Sequence, residues 1–172
     1  MTLADYFEFL ELPRSLAIDS KDLEKRFYAL SRKYHPDVHA RKSPAEKDQA
    51  EESAAVLNDA YRTLRDPIQR AQYLLKLEGF DIGDQGTKDV PPELLEEVFE
   101  LNEAIEESGK GEALEPFRQK FQTMRGEIDA ELQEKFEEWD NGHDREALSA
   151  VRGLLNRRKY ITNLIAQTNV SD

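Results

Sequence analysis

Two stretches in the first half of the chain carry apolar side chains at alternating spacings of three and four residues. This spacing places the side chains on one face of an α-helix, and such a face is buried against another element. Two helices with matching faces and a short connection pack as an antiparallel hairpin. The first face comprises Leu23, Phe27, Leu30 and Tyr34, and the second comprises Ala50, Ala54, Leu57, Tyr61 and Leu64.

Capping residues mark where these two helices begin. Asp19 or Ser20 can cap the first, because a side-chain oxygen there accepts a hydrogen bond from a free amide of the first turn. Ser43, Pro44 and Glu46 form a capping box with proline at the first helical position. The pattern therefore predicts helices from about residue 20 to 34 and from residue 44 onward.

Proline residues delimit two shorter helices in the same half. A helix over residues 3–12 is expected to end before Pro13, since the residue preceding a proline is driven out of the α region. Asp66 and Pro67 begin a fourth helix. Its inward-facing residues are Ile68, Ala71, Leu74 and Leu75.

The second half is interpreted as a linker followed by a bundle. The linker is rich in glycine and aspartate, which favour turns. Three helical segments with short joins follow it, and such segments form a bundle. The helices are expected at about residues 92–108, 113–140 and 144–167, and the domains at 1–75, 76–89 (linker) and 90–172.

Strand signals are scarce, so the fold is predicted to be all-α. The sequence contains no cysteine, which excludes disulfides, thiolate metal ligands and a cysteine nucleophile. No apolar run reaches the ~20 residues that span a bilayer, and no signal-peptide pattern is visible. We therefore expect a cytoplasmic protein with no membrane partner, no cofactor and no metal site.

The net charge of −12 is concentrated in the second half. Residues 1–75 contain 12 basic and 13 acidic side chains, whereas residues 76–172 contain 12 basic and 23 acidic ones. The acidic excess argues against a nucleic-acid partner, because phosphate binding needs clustered lysine and arginine. The asymmetry indicates that the two halves have different partners.

The tripeptide His35-Pro36-Asp37 lies between the two matched helices. Proline keeps His35 from continuing the helix, so the tripeptide occupies the tip of the hairpin. An ordinary turn is the alternative interpretation. With the short first helix, the basic second helix and the segment 58–64, the tripeptide makes residues 1–75 resemble a J domain. This resemblance implies a module that binds a DnaK-type chaperone and stimulates its ATP hydrolysis.

Almost the full chain resembles the HscB family, the J-domain co-chaperones of iron–sulfur cluster assembly. The resemblance implies that the carboxyl-terminal bundle binds the scaffold protein IscU and delivers it to the chaperone HscA during cluster assembly or transfer. The segments that carry it in addition to the tripeptide are 5–7, 12–13, 64–67, 70–71, 73–75, 79–81 and 100–103.

The second helix has a basic face opposite its apolar stripe. At about 100° per residue, Lys21, Lys25 and Arg32 lie about 160–200° from the first residue of that stripe. A solvated face, with Asp22 paired to Arg26, is the alternative. Beside the tripeptide, however, a basic face would attract an acidic chaperone surface, and such binding weakens with salt. The predicted chaperone-binding residues are Lys21, Lys25, Arg26, Arg32, His35, Pro36 and Asp37.

The first bundle helix has more apolar residues than its core stripe needs. The stripe comprises Leu94, Val98, Leu101 and Ile105, and Leu95 and Phe99 lie about 100° and 140° around the helix from Leu94. They either widen the core or form an apolar anchor pair for a partner. The resemblance favours the anchor pair, because the family uses this helix to bind its scaffold. The chain departs from some members at the edge of this site, where an aromatic residue of the last helix is replaced near Asn156. The predicted scaffold-binding residues are Leu95, Glu96, Phe99, Glu100, Glu103 and Glu107.

An enzymatic activity is not expected. No nucleophile, phosphate loop or orienting group accompanies the histidine and aspartate of the tripeptide. His35 and His39 cannot form a helical metal pair across Pro36. Two alternatives remain open: a J-domain protein whose bundle binds an unrelated client or dimerises, and a purely structural helical protein.

Overall fold

The computed structural model describes residues 5–39, 41–81, 92–107 and 111–169, and within these ranges it contains helices and no β-strand. The all-α prediction is therefore confirmed. The helices are α1 (Tyr6–Phe9), α2 (Ser20–Lys33), α3 (Pro44–Arg65), α4 (Pro67–Leu77), α5 (Leu95–Glu107), α6 (Gly111–Gly142) and α7 (Arg145–Thr168), with 3-10 turns at Pro36–His39 and Pro92–Leu94.

The chain divides into two compact units by its internal contacts. Unit 1 comprises Met1–Asp81 and Trp139–Asn141, and unit 2 comprises Ile82–Glu138 and Gly142–Asp172. The domain boundaries expected from the sequence stay a prediction. Most of the expected linker, residues 82–89, lies outside the described residues.

The helix starts follow the predicted caps. Asp19 accepts a hydrogen bond from the amide of Lys21 at 2.9 Å and so caps α2. Ser43 caps α3 by accepting one from the amide of Glu46 at 3.3 Å, with Pro44 in the first turn. These bonds join residues two or three positions apart, which is why the sequence alone locates them.

The first helix is shorter than predicted. It begins after its cap at Asp5 and ends at Phe9. Glu11 follows with φ 57°, a left-handed conformation that cannot continue a right-handed helix. Glu11 and not Pro13 therefore limits the helix. Residues 1–4, where the helix was also expected, lie outside the described range.

The core of unit 1 is built around α3, which contacts α1, α2 and α4. Leu23 of α2 and Leu57 and Leu64 of α3 are fully buried. Phe27 of α2 stacks on Tyr61 of α3, with ring centroids 4.2 Å apart. Each fully buried leucine contributes about 1.5–3 kcal/mol, so the predicted stripes supply much of the force that closes the hairpin.

Two charged side chains hold the loop between α1 and α2. Arg70 is buried and donates hydrogen bonds to the carbonyl oxygens of Leu64 and Leu16, at 2.8 and 2.7 Å. Burial lowers the pKa of Arg70, and the charge of Asp140 opposes this shift. Asp140, in the last turn of α6, accepts hydrogen bonds from the amides of Leu16 and Ala17 at 2.8 and 2.9 Å. The loop thus depends on residues far away in the sequence.

We expect Asp140→Ala to lower the free energy of unfolding of unit 1 by about 1–3 kcal/mol, because the two loop amides lose a charged acceptor. Denaturant unfolding of the full chain measures this loss, with fluorescence of the single tryptophan, Trp139, as the local probe. Glu131→Ala, an exposed carboxylate on the same helix, is the control and is expected to change the value by less than about 0.5 kcal/mol. Equal losses in both variants would contradict the role of Asp140.

Unit 2 contains the predicted bundle helices, α5 to α7. Polar contacts between α6 and α7 run in opposite residue order, so the two helices are antiparallel. The pairs are Arg118–Thr168 at 2.6 Å (to the carbonyl oxygen), Arg125–Thr162 at 3.4 Å and Asp129–Arg158 at 2.6 Å. Glu97 of α5 pairs with Lys120 of α6 at 3.3 Å, which ties the third helix to the other two.

The long helix α6 extends further than predicted. It was predicted to end at about residue 140, before the turn-forming pair Asn141 and Gly142, yet the helix continues through both. His143 follows with φ 54°, and Asp144 caps α7 by accepting a hydrogen bond from the amide of Glu146 at 3.0 Å. The left-handed residue is thus the histidine and not the glycine.

Candidate functional site

The His-Pro-Asp tripeptide occupies an exposed loop between α2 and α3. The amide of Asp37 donates to Nδ1 of His35 at 3.2 Å, and the amide of Val38 donates to the His35 carbonyl oxygen at 3.0 Å. The Asp37 carboxylate is 92% exposed, with Oδ2 3.6 Å from the same Nδ1. The imidazole thus hydrogen-bonds to the backbone of its own loop, whereas the Asp37 carboxylate remains exposed and can contact a partner.

The hydrogen bond to Nδ1 also defines the state of the imidazole. Because Nδ1 accepts the Asp37 amide, the proton of the neutral His35 ring is at Nε2. The loop is therefore held by a contact between the His35 ring and the backbone of Asp37.

Three of the four predicted basic residues of α2 are exposed. Lys21, Lys25 and Arg32 form no side-chain ion pair within the part of the chain that the structure describes. Their charges are therefore available to an approaching molecule. We name Lys21, Lys25, Arg32 and the His-Pro-Asp tripeptide the α2 surface.

Arg26, the fourth basic residue, is used within unit 1. Its Nε lies 3.0 Å from Oδ2 of Asp22, and its Nη1 donates to the carbonyl oxygens of Leu10 and Glu11 at 3.3 and 2.9 Å. The guanidinium thus holds the left-handed turn that follows α1. Its contact with a chaperone stays a prediction, but any substitution of Arg26 also disturbs this turn.

The predicted acidic helix presents its spare apolar residues to solvent. Leu95 is 56% exposed and Phe99 is 64% exposed, whereas Leu94 and Leu101 are fully buried. The interpretation that Leu95 and Phe99 widen the core is therefore wrong. Around them the predicted glutamates are exposed, and we name the whole set the α5 surface: Leu95, Glu96, Phe99, Glu100, Glu103 and Glu107.

Other acids of this region serve the fold. Glu93 pairs with Arg157 of α7 at 3.0 Å, and Glu97, with its side chain 19% exposed, pairs with Lys120. These pairs attach the 3-10 turn before α5 to α7 and the first turn of α5 to α6. Asn156, next to Arg157, is half-buried, and its Oδ1 has no hydrogen-bond partner within the described residues.

The described residues bring together neither a metal-ligand cluster nor an activated nucleophile. Within the described residues no group of three or more His, Cys, Asp and Glu side chains is placed to hold a metal ion. A cleft of about 330 Å³ between α2 and α3 is lined partly by Lys33, Tyr34, Lys42 and Glu46, without a nucleophile activated by a base. In the same part of the chain, no helix combines the length and apolar character that crossing a bilayer requires.

Known families match both halves of the chain. Residues 5–73 match the DnaJ domain, and residues 90–169 match the family described as the HSCB C-terminal oligomerisation domain. The two matches together cover the α2 surface and the α5 surface.

Individual relatives match nearly the full length. The chain is 33% identical over 162 residues to the "Co-chaperone protein HscB homolog" of Burkholderia multivorans, covering 94% of this chain and 93% of that protein. It is 32% identical over 157 residues to the human "Iron-sulfur cluster co-chaperone protein HscB", covering 91% and 67%. Among solved structures, "Chaperone HscB from Vibrio cholerae" superposes with a TM-score of 0.68 at 31% identity, covering 96% and 95%.

Proposed function

The chain belongs to the HscB family of J-domain co-chaperones, and from that premise we propose that it stimulates the ATPase of a DnaK-type chaperone, HscA, and delivers the iron–sulfur scaffold IscU to it. The protein is a co-chaperone, so the proposed ATP hydrolysis takes place on the chaperone. We assign residues 1–75 to the J domain, 76–89 to the linker and 90–172 to the scaffold-binding domain, and we place the protein in the cytoplasm.

One observation carries the proposal: the chain exposes two surfaces of different chemistry on its two units. The α2 surface is basic and includes the Asp37 carboxylate, which is 92% exposed. The α5 surface places two apolar side chains among four glutamates. An apolar centre with a charged rim is the usual anatomy of a protein-binding site. The α5 surface has this anatomy, and together with the basic α2 surface on the other unit it supports an adaptor that binds two proteins.

The proposed sequence of events follows from these surfaces. Scaffold apolar groups bury Leu95 and Phe99, while the glutamates of the α5 surface select a basic rim on the scaffold. The lysines and the arginine of the α2 surface attract an acidic face of the chaperone, and His35 and Asp37 then contact the part that controls ATP hydrolysis. Binding both proteins raises the effective concentration of scaffold beside the chaperone.

Steady-state ATP hydrolysis by the chaperone tests the proposal, using the full chain with and without scaffold. We expect stimulation by the chain alone and a further increase with scaffold, because the chain then brings the chaperone its client. Absence of any stimulation would refute the chaperone assignment. If the chain stimulated the chaperone but scaffold did not change the rate and did not bind in calorimetry, the protein would be a J-domain protein with another client.

Self-association is the second candidate for the α5 surface. The description of the family that matches residues 90–169 includes oligomerisation, and an exposed Leu95 and Phe99 could pair two copies. Sedimentation velocity of the wild type and of the double variant Leu95→Ala/Phe99→Ala distinguishes the two. A dimer that the double variant converts to a monomer would favour this second function.

The basic residues of the α2 surface predict a salt dependence. We expect Lys25→Ala/Arg32→Ala to raise the concentration that half-saturates ATPase stimulation by about 2- to 30-fold at low salt, because two exposed charge pairs are lost. The difference from wild type is expected to shrink as the ionic strength rises, since the Debye length falls to about 8 Å at 0.15 M. ATPase titrations at several salt concentrations measure both effects.

A matched control keeps the net charge equal. Lys47→Ala/Lys76→Ala removes two exposed lysines from α3 and α4 and is expected to leave half-saturation nearly unchanged. If both double variants weakened stimulation equally, total charge and not the α2 surface would be responsible.

A further inference from the structure

Four large hydrophobic side chains are more than half exposed in the described part of the chain. Leu95 and Phe99 belong to the α5 surface. The other two, Tyr28 at 53% and Val38 at 58%, lie in unit 1, on α2 and directly after Asp37. A single exposed apolar residue is ordinary, but these two fall within and beside the α2 surface.

Tyr28 lies among the cations of α2. At about 100° per residue it is about 20–60° from Lys21, Arg32 and Lys25 around the helix. Arg32 is one turn further along, and Lys25 is three residues before it, so both flank the ring. Glu24, one turn before Tyr28, is the acidic residue at the edge of this face. The ring is therefore an apolar spot in a mainly basic surface.

Ring contacts hold Tyr28 in place. Its ring meets that of Phe27 at an interplanar angle of 61°, with centroids 5.6 Å apart. Phe27 in turn stacks on Tyr61, whose ring has the Arg65 guanidinium 5.8 Å from its centroid. An exposed ring that is already supported loses little conformational entropy on binding, which is a property of tyrosine anchors in interfaces.

We propose that Tyr28 is the apolar anchor of the α2 surface and inserts its ring into an apolar depression with an acidic border on the chaperone's ATPase domain; this rests on the proposed function. Charge complementarity selects this occupant, because three of the four charged side chains that share this face of α2 with the ring are cations. Continuity supports it as well, since Arg32 follows Tyr28 on α2 and this helix leads to the tripeptide. Val38 marks the far end of the surface.

Titration of chaperone ATPase stimulation with full-length Tyr28→Ala tests the anchor. The half-saturating concentration is expected to rise about 10- to 30-fold, as for truncation of an aromatic hot spot, while the maximal rate is unchanged. Tyr28→Phe keeps the ring and is expected to stay within about threefold of wild type. Because apolar burial is not screened by ions, the effect of Tyr28→Ala should persist in high salt, unlike that of Lys25→Ala/Arg32→Ala.

Tyr160→Ala is the matched control, because it removes a partly exposed tyrosine of unit 2 that belongs to neither named surface. It is expected to leave the titration unchanged in the absence of scaffold. Circular dichroism and thermal unfolding verify that each variant is folded.

The outcomes separate the anchor from the function it rests on. If Tyr28→Ala has the half-saturating concentration of the wild type, while the wild type stimulates the ATPase and His35→Gln does not, the anchor is overturned and the proposed function stands. A lower maximal rate at unchanged half-saturation would also overturn the anchor and would assign Tyr28 to triggering hydrolysis. A changed sedimentation coefficient without a changed titration would assign it to a second copy of the chain. A wild type that never stimulates would overturn both proposals.

Discussion

We expect His35→Gln to remove almost all stimulation of the chaperone ATPase while leaving the protein folded. The imidazole accepts the Asp37 amide at Nδ1, 3.2 Å away, and so orders the loop that presents the carboxylate. Glutamine has a longer, rotatable side chain that cannot hold an acceptor at that point without losing conformational entropy. Because His35 is exposed, the change in unfolding free energy is expected to stay within about 0.5 kcal/mol.

Single-turnover ATP hydrolysis by the chaperone, with saturating co-chaperone, measures this loss. His143→Gln is the matched control: the same chemical change at an exposed histidine of unit 2. It is expected to stimulate like the wild type. A His35→Gln variant that still stimulated at saturation would refute the proposed role of the tripeptide in stimulation. Equal losses in both histidine variants would point to a general effect on the chain.

The second large effect concerns the α5 surface. We expect Leu95→Ala/Phe99→Ala to weaken scaffold binding by about 100- to 1000-fold, because each truncation removes a central apolar anchor worth about 2 kcal/mol or more. Both side chains are more than half exposed, at 56% and 64%, so their removal leaves no cavity in unit 2. The stability of the protein is therefore expected to be nearly unchanged.

Isothermal titration calorimetry of the full chain with scaffold measures the affinity. The control Tyr28→Ala/Val38→Ala removes the exposed apolar pair of unit 1 and is expected to bind scaffold normally. Conversely, Leu95→Ala/Phe99→Ala is expected to stimulate the chaperone normally when scaffold is absent. Scaffold affinity within about threefold of wild type in the α5 double variant would exclude this surface as the binding site.

Helix starts and the tripeptide loop were predictable because they depend on neighbours in the sequence. Ser43 caps α3 through an amide three residues away, and Asp19 caps α2 through one two residues away. The loop at Pro36 follows from the fixed φ of proline. Helix ends were less predictable, because the left-handed residues that stop α1 and α6 are Glu11 and His143 and not glycine, which adopts this conformation most readily.

The width of an apolar face was not predictable from one helix. Leu95 and Phe99 have the same periodicity as core residues, and only the placement of α6 and α7 decides which side of α5 is covered. Lys120 and Arg157 pair with Glu97 and Glu93, and the face bearing Leu95 and Phe99 is left exposed. The partner interpretation thus depends on an exposure that packing alone determines.

The sequence by itself determined the helical class, the starts of the main helices and the tripeptide between α2 and α3, because those features arise from interactions within about one helical turn. Only the tertiary structure decided which charged and apolar side chains remain for partners. Arg26 is engaged by carbonyl groups 15 and 16 residues away, and Asp140 by amides more than 120 residues away. Such contacts require the folded chain, and so does the exposure of Tyr28, Leu95 and Phe99.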